Sequence, residues 1–133
     1  MKEYSKAAIG KKGERVAARF LRRKGYHIVA RNKHYGKHEL DLIVKDKQHL
    51  VFVEVKTRSL ADGSPDVRPA DAVDLAKRRY TAEAARAHLR ENPTALCPRF
   101  DVIEVYLARK HRLRVARINH IADAFSVNGR IRH

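Results

Sequence analysis

The residues best suited to chemistry are acids carried by two neighbouring β-rich runs. Glu39–Val44 and Val51–Lys56 each alternate apolar and polar residues with a period of two, which predicts two antiparallel strands joined by a turn at Lys47-Gln48. A one-residue slip would turn one apolar set toward water, so burial fixes the register. The expected facing pairs are Leu42 with Val53, Asp41 with Glu54, and Glu39 with Lys56. The residues expected to be buried together are Leu40, Leu42, Val44, Val51, Val53 and Val55.

Asp41 and Glu54 would place two carboxylates directly opposite each other in this hairpin. Facing Cβ atoms lie about 4.5–5.5 Å apart, and like charges in that position destabilise a sheet. A cation must balance these two negative charges, either a lysine or a divalent metal. Lys56 projects from the same face. Mixed charges on a solvated strand are the alternative interpretation. Ile43 and Phe52 share this face, however, so it is half covered, and partly covered acids are costly to keep without a function.

The chain is strongly basic, and its charges are unevenly distributed. Its 133 residues include 30 Lys and Arg against 15 Asp and Glu, which gives a net charge of +15. Basic residues dominate both ends of the chain, whereas acids concentrate between Glu39 and Glu54. A positive body attracts a polyanion, and an acidic cluster can hold a metal against a phosphate. We therefore expect a nucleic acid as partner. A basic binding surface without chemistry is the alternative.

Cysteine content and hydropathy exclude several classes of protein. The single cysteine, Cys97, rules out an internal disulfide framework and multi-cysteine zinc sites, and we expect it to be buried. No run approaches the roughly 20 apolar residues of a membrane span, and the first residues lack the apolar core of a signal peptide. The sequence thus predicts a cytoplasmic protein without a membrane partner, with one domain over residues 1–125 and a polar tail over 126–133.

Periodicity and turn residues predict the element order α-β-β-β-α-β-β. Besides the hairpin, the elements are a helix at Lys11–Lys24, a strand at Tyr26–Arg31, a polar loop at Asn32–Lys37, an irregular loop at Ser59–Pro69, a helix at Asp71–Glu91, and a second hairpin of Arg99–Leu107 and Arg112–Ile118. The inward stripe expected on the second helix is Val73, Ala76, Tyr80, Ala84 and Ala87. On the first helix, Glu14 shares the inward side, either paired with a buried arginine or reaching the acidic cluster.

Seven motifs spread over most of the chain point to one protein family. They are Gly13-Glu14, Gly25-Tyr26, Arg31-Asn32, Glu39–Ile43, Val51–Arg58, Lys77 and Arg99–Ile103, and the run FVEVKTR is the most specific of them. Together they resemble the YraN family of small, largely uncharacterised bacterial proteins. One departure is His38, which stands where that family usually has glycine before the Glu-Leu-Asp run.

The YraN family in turn resembles archaeal Holliday-junction resolvases of the PD-(D/E)xK nuclease superfamily. That resemblance implies an α/β, restriction-endonuclease-like core with a mixed β-sheet flanked by helices. It also implies hydrolysis of phosphodiester bonds with Mg²⁺ (or Mn²⁺), DNA rather than RNA as the partner and, in the resolvases, a homodimer. By the same resemblance Asp41 and Glu54 match the metal-binding acids, Lys56 the motif lysine, and Glu14 the acid of the first helix. Glu39 belongs to the family's own motif and is a further candidate metal ligand.

The chemistry expected of these residues is metal-assisted hydrolysis. Asp41 and Glu54, with the carbonyl of Val55, would offer hard oxygen ligands, while Lys56 would orient or activate a water molecule. Glu14 would bind a second metal or tune the first. The residues expected to contact the nucleic-acid backbone are Lys11, Lys12, Arg15, Arg58, Lys77 and Arg78. The sequence has no aromatic-rich patch, so it predicts recognition of shape and phosphate geometry rather than base stacking.

Three functional hypotheses follow from the sequence. The first is a metal-dependent endonuclease acting on branched or structured DNA. The second is a non-catalytic nucleic-acid-binding protein that keeps the nuclease fold. The third is an assembly protein whose basic surface docks on another complex. Binding of a divalent metal separates the first from the others, and a linear dependence of log K on log salt separates the second from the third.

Overall fold

A computed structural model describes residues 4–60, 75–109 and 112–126 of the chain. Its elements are α1 (Lys6–Arg23), β1 (His27–Tyr35), β2 (His38–Lys45), β3 (His49–Leu60), α2 (Leu75–Glu91), β4 (Cys97–Arg109) and β5 (Leu113–Phe125). The predicted element order is confirmed. Most of the predicted irregular loop, the start of the second helix, the tip of the second hairpin and the tail after Ser126 lie outside the described residues. Neither described helix is long and apolar enough to cross a membrane.

The five strands form one mixed sheet in the order β1-β2-β3-β4-β5. Strands β3 and β4 run parallel, which requires a crossover connection, and the other neighbouring pairs are antiparallel. Helix α1 packs on one face of the sheet and α2 on the other. The α/β class with a mixed sheet flanked by helices is therefore confirmed.

The β2–β3 hairpin has the predicted register near its turn. Leu42 pairs with Val53. Asp46 closes the turn by accepting hydrogen bonds from two backbone N–H groups at 2.8 and 2.7 Å. Pairing between the two strands stops at Leu42 and Val53, so the predicted facing pairs of Asp41 with Glu54 and of Glu39 with Lys56 are both wrong. Beyond that point β2 continues its pairing with β1 alone, which opens the end of the hairpin that carries the acids.

Alternation along the hairpin supplies one apolar core on each face of the sheet. The first core contains Ala17, Ala18 and Leu21 of α1 with Leu42, Val44, Val51 and Val53. The second contains Ala82, Ala84 and Ala85 of α2 with Leu40, Ile43 and Phe52. The prediction that Leu40 shares a core with Leu42 is wrong. Leu40 lies beyond the last paired residues of β2 and β3, and it pairs with Lys33 of β1 next to Asn32, whose left-handed backbone interrupts the regular strand.

Helix α2 presents to the sheet a face that overlaps the predicted one only in part, since Ala84 is buried as predicted. Tyr80 is 50% exposed and Ala76 is exposed, whereas the buried residues are Arg78, Ala82, Ala84, Ala85 and His88. Five alanines are spread around this helix, so more than one of its faces qualifies as apolar. The sheet is covered by the face with the small residues, and the larger Tyr80 side chain is left at the surface.

Two local predictions are also wrong. The segment Asn32–Lys37, predicted as a polar loop, continues strand β1 as far as Tyr35, because backbone pairing with β2 does not depend on polar or apolar side chains. Cys97 is exposed rather than buried. It is the first residue of β4, where its backbone N–H donates to the carbonyl of Gln48 at the sheet's end, before the strand enters the core.

Gly13 allows α1 to approach β3 closely. A Cβ at this position would overlap the side chain of Thr57. We expect Gly13→Ala to destabilise the fold by about 1–3 kcal/mol, because either the helix or the strand must shift. Gly10 lies on the same helix with nothing within 4 Å of such a Cβ, so Gly10→Ala should stabilise the fold by about 0.5–1 kcal/mol. Urea unfolding of both variants measures these changes, and equal effects would contradict the close contact.

A buried ionic network lies on the α1 face of the sheet. Asp101 is fully buried and pairs with Arg99 at 2.8 Å and with His120 at 2.7 Å. Arg99 also donates to the hydroxyl of Tyr26 at 2.7 Å, and Lys24 Nζ lies 2.8 Å from the second ring nitrogen of His120. These contacts tie the chain after α1 to strands β4 and β5, so the network serves the fold.

Candidate active site

Glu54 is the most deeply buried acid of the hairpin. It follows Phe52 and Val53, which lie in the two cores, and its side chain is 2% exposed. Two ammonium groups contact the same carboxylate oxygen, because Lys56 Nζ lies 3.4 Å and Lys77 Nζ lies 3.1 Å from Glu54 Oε1. A buried carboxylate is tolerated when it is paired in this way. The structure thus brings Lys56 to Glu54 and adds a second lysine from α2.

Asp41 lies on β2 at the open end of the hairpin. Its Oδ2 accepts a hydrogen bond from the backbone N–H of Val55 at 2.9 Å. Burial raises the pKa of the Asp41 carboxyl, and the negative charges of Glu54 and Glu39 raise it further. The Val55 hydrogen bond and the charge of Lys77 act in the opposite direction without cancelling the rise. The repulsion between neighbouring acids that the sequence predicts thus adds to the cost of ionising Asp41, although burial is the largest cause of the raised pKa.

Asn32 connects two further acids to this pair. With its amide nitrogen turned toward the acids, Asn32 donates to Glu39 Oε1 at 2.8 Å and to Glu14 Oε2 at 3.0 Å. Burial raises the pKa of the Glu14 carboxyl, followed by the charges of Asp41 and Glu39. Of the two roles considered for Glu14, these contacts favour the acidic cluster. We name Glu14, Glu39, Asp41 and Glu54 the acidic cluster.

Asn32 is a site residue that sequence reasoning missed. It holds a left-handed backbone conformation, with φ of 49°, inside strand β1. Asparagine adopts this conformation more readily than other non-glycine residues, and such backbone strain concentrates at functional sites. Its only signal in the sequence is its place in the Arg31-Asn32 motif. A strand interior offers no pattern that would mark one polar residue as a bridge between acids on two other elements.

The acidic cluster offers the oxygen ligands that Mg²⁺ and Mn²⁺ prefer. Glu54 Oε2 is buried and accepts no hydrogen bond from the residues that the structure describes, so its lone pairs are available to a cation. Within the described ranges, no three His, Cys, Asp or Glu side chains converge as a ready set of ligands. Two lysines, a backbone amide and Asn32 hold the carboxylates instead. The carboxylate oxygens of the cluster can bind a divalent cation if that cation displaces one of the two lysine ammonium groups.

Lys77 is the cation most open to such displacement. Its side chain is 53% exposed, against 24% for Lys56, although both contact Glu54 Oε1. Burial lowers the pKa of Lys77, but the nearby charges of Glu54, Asp41 and Glu39 outweigh it and raise the pKa overall. Lys77 therefore stays charged and compensates the acidic cluster, and its exposed stem can move without disturbing the core.

Two open clefts meet at Asp41. One has a volume of about 450 Å³ and is lined by Lys11, Glu14, Arg15, Arg31, Asn32, Asp41 and Leu42. The second, which we name the α2 cleft, has a volume of about 380 Å³ and is lined by Lys37, His38, Glu39, Asp41, Lys77, Tyr80 and Thr81. Each cleft leads from basic residues at the surface to the acids. A polyanion can therefore approach the acidic cluster from either side.

The basic residues predicted to contact nucleic acid occupy different environments. Lys11, Arg15 and Lys77 line the clefts. Lys12 and Arg58 are half-buried on α1 and β3. Arg78 is only 8% exposed and lines neither cleft, because α2 turns it toward the sheet.

His38 forms part of the rim of the α2 cleft. Its ring stacks on Tyr80 with centroids 4.5 Å apart and planes 12° from parallel, and its Nε2 lies 3.5 Å from Glu83 Oε2. The side chains of His38 and Tyr80 thus form an aromatic wall of the cleft. This wall is made of two residues far apart in sequence, which is why no aromatic patch is visible in the chain.

We expect the acidic cluster to reduce stability when no divalent cation is bound to it. Replacing Asp41 by Asn removes one of the repelling charges and keeps an oxygen that can accept the Val55 hydrogen bond. In a chelator at neutral pH, Asp41→Asn should therefore stabilise the fold by about 0.5–2 kcal/mol. Thermal unfolding measures the gain, with Glu91→Gln, an exposed acid at the end of α2, as control. A loss of stability in Asp41→Asn would contradict the electrostatic conflict.

Comparisons with known protein sequences all point to the same protein family. The family model described as "Uncharacterised protein family UPF0102" matches residues 13–105. A UPF0102 protein of Caldanaerobacter subterraneus subsp. tengcongensis is 39% identical over 126 residues, covering 94% of this chain and 100% of its relative. A UPF0102 protein of Chlorobaculum tepidum is 42% identical over 124 residues, covering 90% and 92% of the two chains. The resemblance to the YraN family is thereby confirmed.

One solved structure is distantly similar. It is described as the structure of Pyrococcus furiosus SfsA in complex with Ca²⁺, and it has a TM-score of 0.42 and 16% sequence identity to this chain. The similarity covers 82% of this chain and 62% of that one, so the chain spans less than two thirds of SfsA. A likeness at this level carries no conclusion about function.

Proposed function

This chain belongs to the uncharacterised protein family UPF0102, and we propose that it is a metal-dependent endonuclease that hydrolyses phosphodiester bonds in branched or otherwise structured DNA. The observation that carries the proposal is Glu54, a carboxylate whose side chain is 2% exposed and whose Oε2 accepts no hydrogen bond from the described residues. Burying such a group and surrounding it with further acids is costly. A catalytic cation site accounts for that cost.

Asp41 and Glu54 are the residues that would hold Mg²⁺ or Mn²⁺, with Glu39 and Glu14 as further carboxylates of the same cluster. When bound, such an ion stabilises negative charge on a phosphate and lowers the pKa of water. The hydrogen bond from Val55 to Asp41 fixes one carboxylate, and Asn32 fixes the other two acids.

Lys56 is the residue that we assign as the catalytic lysine. It lies on the same strand and face as Glu54, 3.4 Å from its carboxylate, and its side chain is mostly buried. A fixed ammonium group at this distance from the acids can orient a water molecule toward the phosphate and offset developing negative charge. Lys77 is more exposed and lines the α2 cleft, so we assign it to holding phosphate rather than to the reaction itself.

The charge distribution supports nucleic acid as the substrate. The chain carries a net charge of +15, and both clefts that reach Asp41 are lined by lysine or arginine. A positive body of this kind attracts the polyanion, while the acidic cluster repels it unless a cation is present. We propose DNA rather than RNA as the substrate only because the family resembles DNA resolvases.

The proposal is tested with labelled four-way junction, flap, duplex and single-stranded DNA in Mg²⁺ or Mn²⁺, comparing wild type with Glu54→Ala. The expected result is cleavage that requires metal, prefers a branched substrate and is absent from the variant. Equal background cleavage by both proteins would overturn the nuclease proposal. If both also bound DNA tightly with strong salt dependence, the protein would be a non-catalytic binder.

The non-catalytic binder is kept as a second candidate because of one observation. Lys56 and Lys77 already balance the charge of Glu54 without any metal, so the acids could serve a structural ion cluster. In that case metal would have no effect on DNA affinity. In the nuclease, by contrast, divalent metal should strengthen binding of an uncleavable substrate by neutralising the acids beside the phosphate.

A further inference from the structure

Tyr80 is a large aromatic side chain left at the surface beside the acidic cluster. It is 50% exposed, although it lies on the helix that covers the sheet. One face of its ring is covered by His38 in a nearly parallel stack, with centroids 4.5 Å apart and planes at 12°. The Nε2 atom of His38 lies 3.5 Å from Glu83 Oε2, which helps to fix the orientation of the pair. We name His38 and Tyr80 the ring pair.

The ring pair lies between two clefts. On one side is the α2 cleft, which also contains Asp41, Glu39 and Lys77. On the other is an open cleft of about 690 Å³ lined by Tyr35, Gly36, Lys37, His38 and Tyr80. A strand whose phosphate lies at Asp41 would therefore pass the ring pair within the same continuous depression.

The surroundings of the ring pair suit a nucleotide. Lys37 lines both clefts, and Lys77 precedes Tyr80 by one helical turn, so basic groups lie on both sides of the rings. Lys33 Nζ lies 5.8 Å from the centre of the Tyr35 ring at the far wall. Flat aromatic faces bordered by cations are the features that bind a base and its flanking phosphates.

We propose that the ring pair is a stacking platform for an unpaired nucleobase next to the scissile phosphate. This inference rests on the proposed nuclease function and specifies its substrate. A base in a continuous duplex already stacks on both neighbours, and extruding it costs a few kcal/mol. A base that is already unpaired, as in a flap or gap, does not bear that cost. The platform therefore selects DNA with unpaired nucleotides beside the cut, contrary to the sequence-based expectation that base stacking plays no part.

The test measures binding to uncleavable DNA in the presence of Mg²⁺, so that it does not depend on cleavage and the acidic cluster does not repel the probe. The probe is a flap DNA with 2-aminopurine as the first unpaired base, and a fully paired duplex of the same length is the reference. Wild type and Tyr80→Phe should quench the fluorescence of 2-aminopurine on binding. Tyr80→Ala should lose the quenching and bind the flap about 5- to 100-fold more weakly, while its affinity for the duplex stays unchanged.

Other outcomes overturn the inference in distinguishable ways. If Tyr80→Ala weakens flap and duplex binding equally, the ring pair does not read unpaired bases. If it changes neither, the rings do not contact DNA, and the nuclease proposal still stands provided that wild type cuts with metal. If wild type binds neither DNA, the platform and the nuclease proposal fail together. Circular dichroism of the variants checks folding, which an exposed side chain should not affect.

Discussion

Lys56→Met should slow cleavage of a branched DNA about 100- to 10,000-fold at saturating Mg²⁺, the range expected for loss of a group that assists proton transfer. Lys56 lies 3.4 Å from Glu54 and its side chain is 24% exposed, so its ammonium group is held within the site. Methionine keeps much of the length and apolar stem of lysine but removes the charge and the donor. Single-turnover kinetics with excess enzyme measures the chemical step directly.

Lys77→Met is the matched control, because Lys77 contacts the same oxygen of Glu54 at 3.1 Å but is more exposed. We expect it to weaken substrate binding and to change the single-turnover rate by less than about tenfold. It should also bind metal more tightly than wild type, since the competing ammonium group is gone. If the two variants lost activity equally, the lysines would act only as a shared counter-charge and the catalytic role of Lys56 would be wrong.

Asp101→Asn should destabilise the fold by about 3–5 kcal/mol near neutral pH. The substitution removes the negative charge that pairs with Arg99 at 2.8 Å and His120 at 2.7 Å, and it places amide hydrogens opposite groups that donate. Asp46→Asn is the control, since its carboxylate sits at a turn where an amide oxygen can still accept from backbone N–H groups. We expect a cost below about 1 kcal/mol there.

The pH dependence gives the same prediction a second test. Burial would raise the pKa of Asp101, but hydrogen bonds from His120, Arg99 and the Asp123 N–H lower it overall. The pKa of Asp101 in the folded protein therefore lies below its value of about 3.9 in the unfolded chain. The stability that the charge contributes is fully present above about pH 3.9, and it is lost as the pH falls through the folded pKa. The difference between wild type and Asp101→Asn in urea unfolding should therefore shrink below about pH 4. A constant difference between pH 7 and pH 3 would contradict the role of the charge.

The hairpin could be predicted from sequence because its information is local. Period-two alternation and a polar turn determine which residues of β2 and β3 face each other near the turn, and Leu42 does pair with Val53. The same alternation locates Asp41 and Glu54 on neighbouring strands, although the ladder ends one pair before them. The end of the ladder could not be predicted, since it depends on how β1 and α1 pack around the open end of the hairpin.

The remaining parts of the site depend on contacts between distant elements. Lys77 reaches Glu54 from α2, and Asn32 joins Glu14 of α1 to Glu39 of β2. No spacing in the chain encodes those distances. The orientation of α2 was mispredicted for a similar reason. Its many alanines fit several faces, so the choice depends on how small residues pack against Phe52 and Ile43, and Tyr80 is left at the surface.

The measurement that tests the account most directly is binding of Mn²⁺ by electron paramagnetic resonance, in which the signal of free Mn²⁺ falls as the ion binds. Wild type and Glu91→Gln should bind Mn²⁺ at the acidic cluster, and an uncleavable branched DNA should strengthen that binding. Asp41→Asn and Glu54→Gln should lose it. Absence of binding by wild type with DNA present, or equal binding by all four proteins, would contradict a metal site at Asp41 and Glu54.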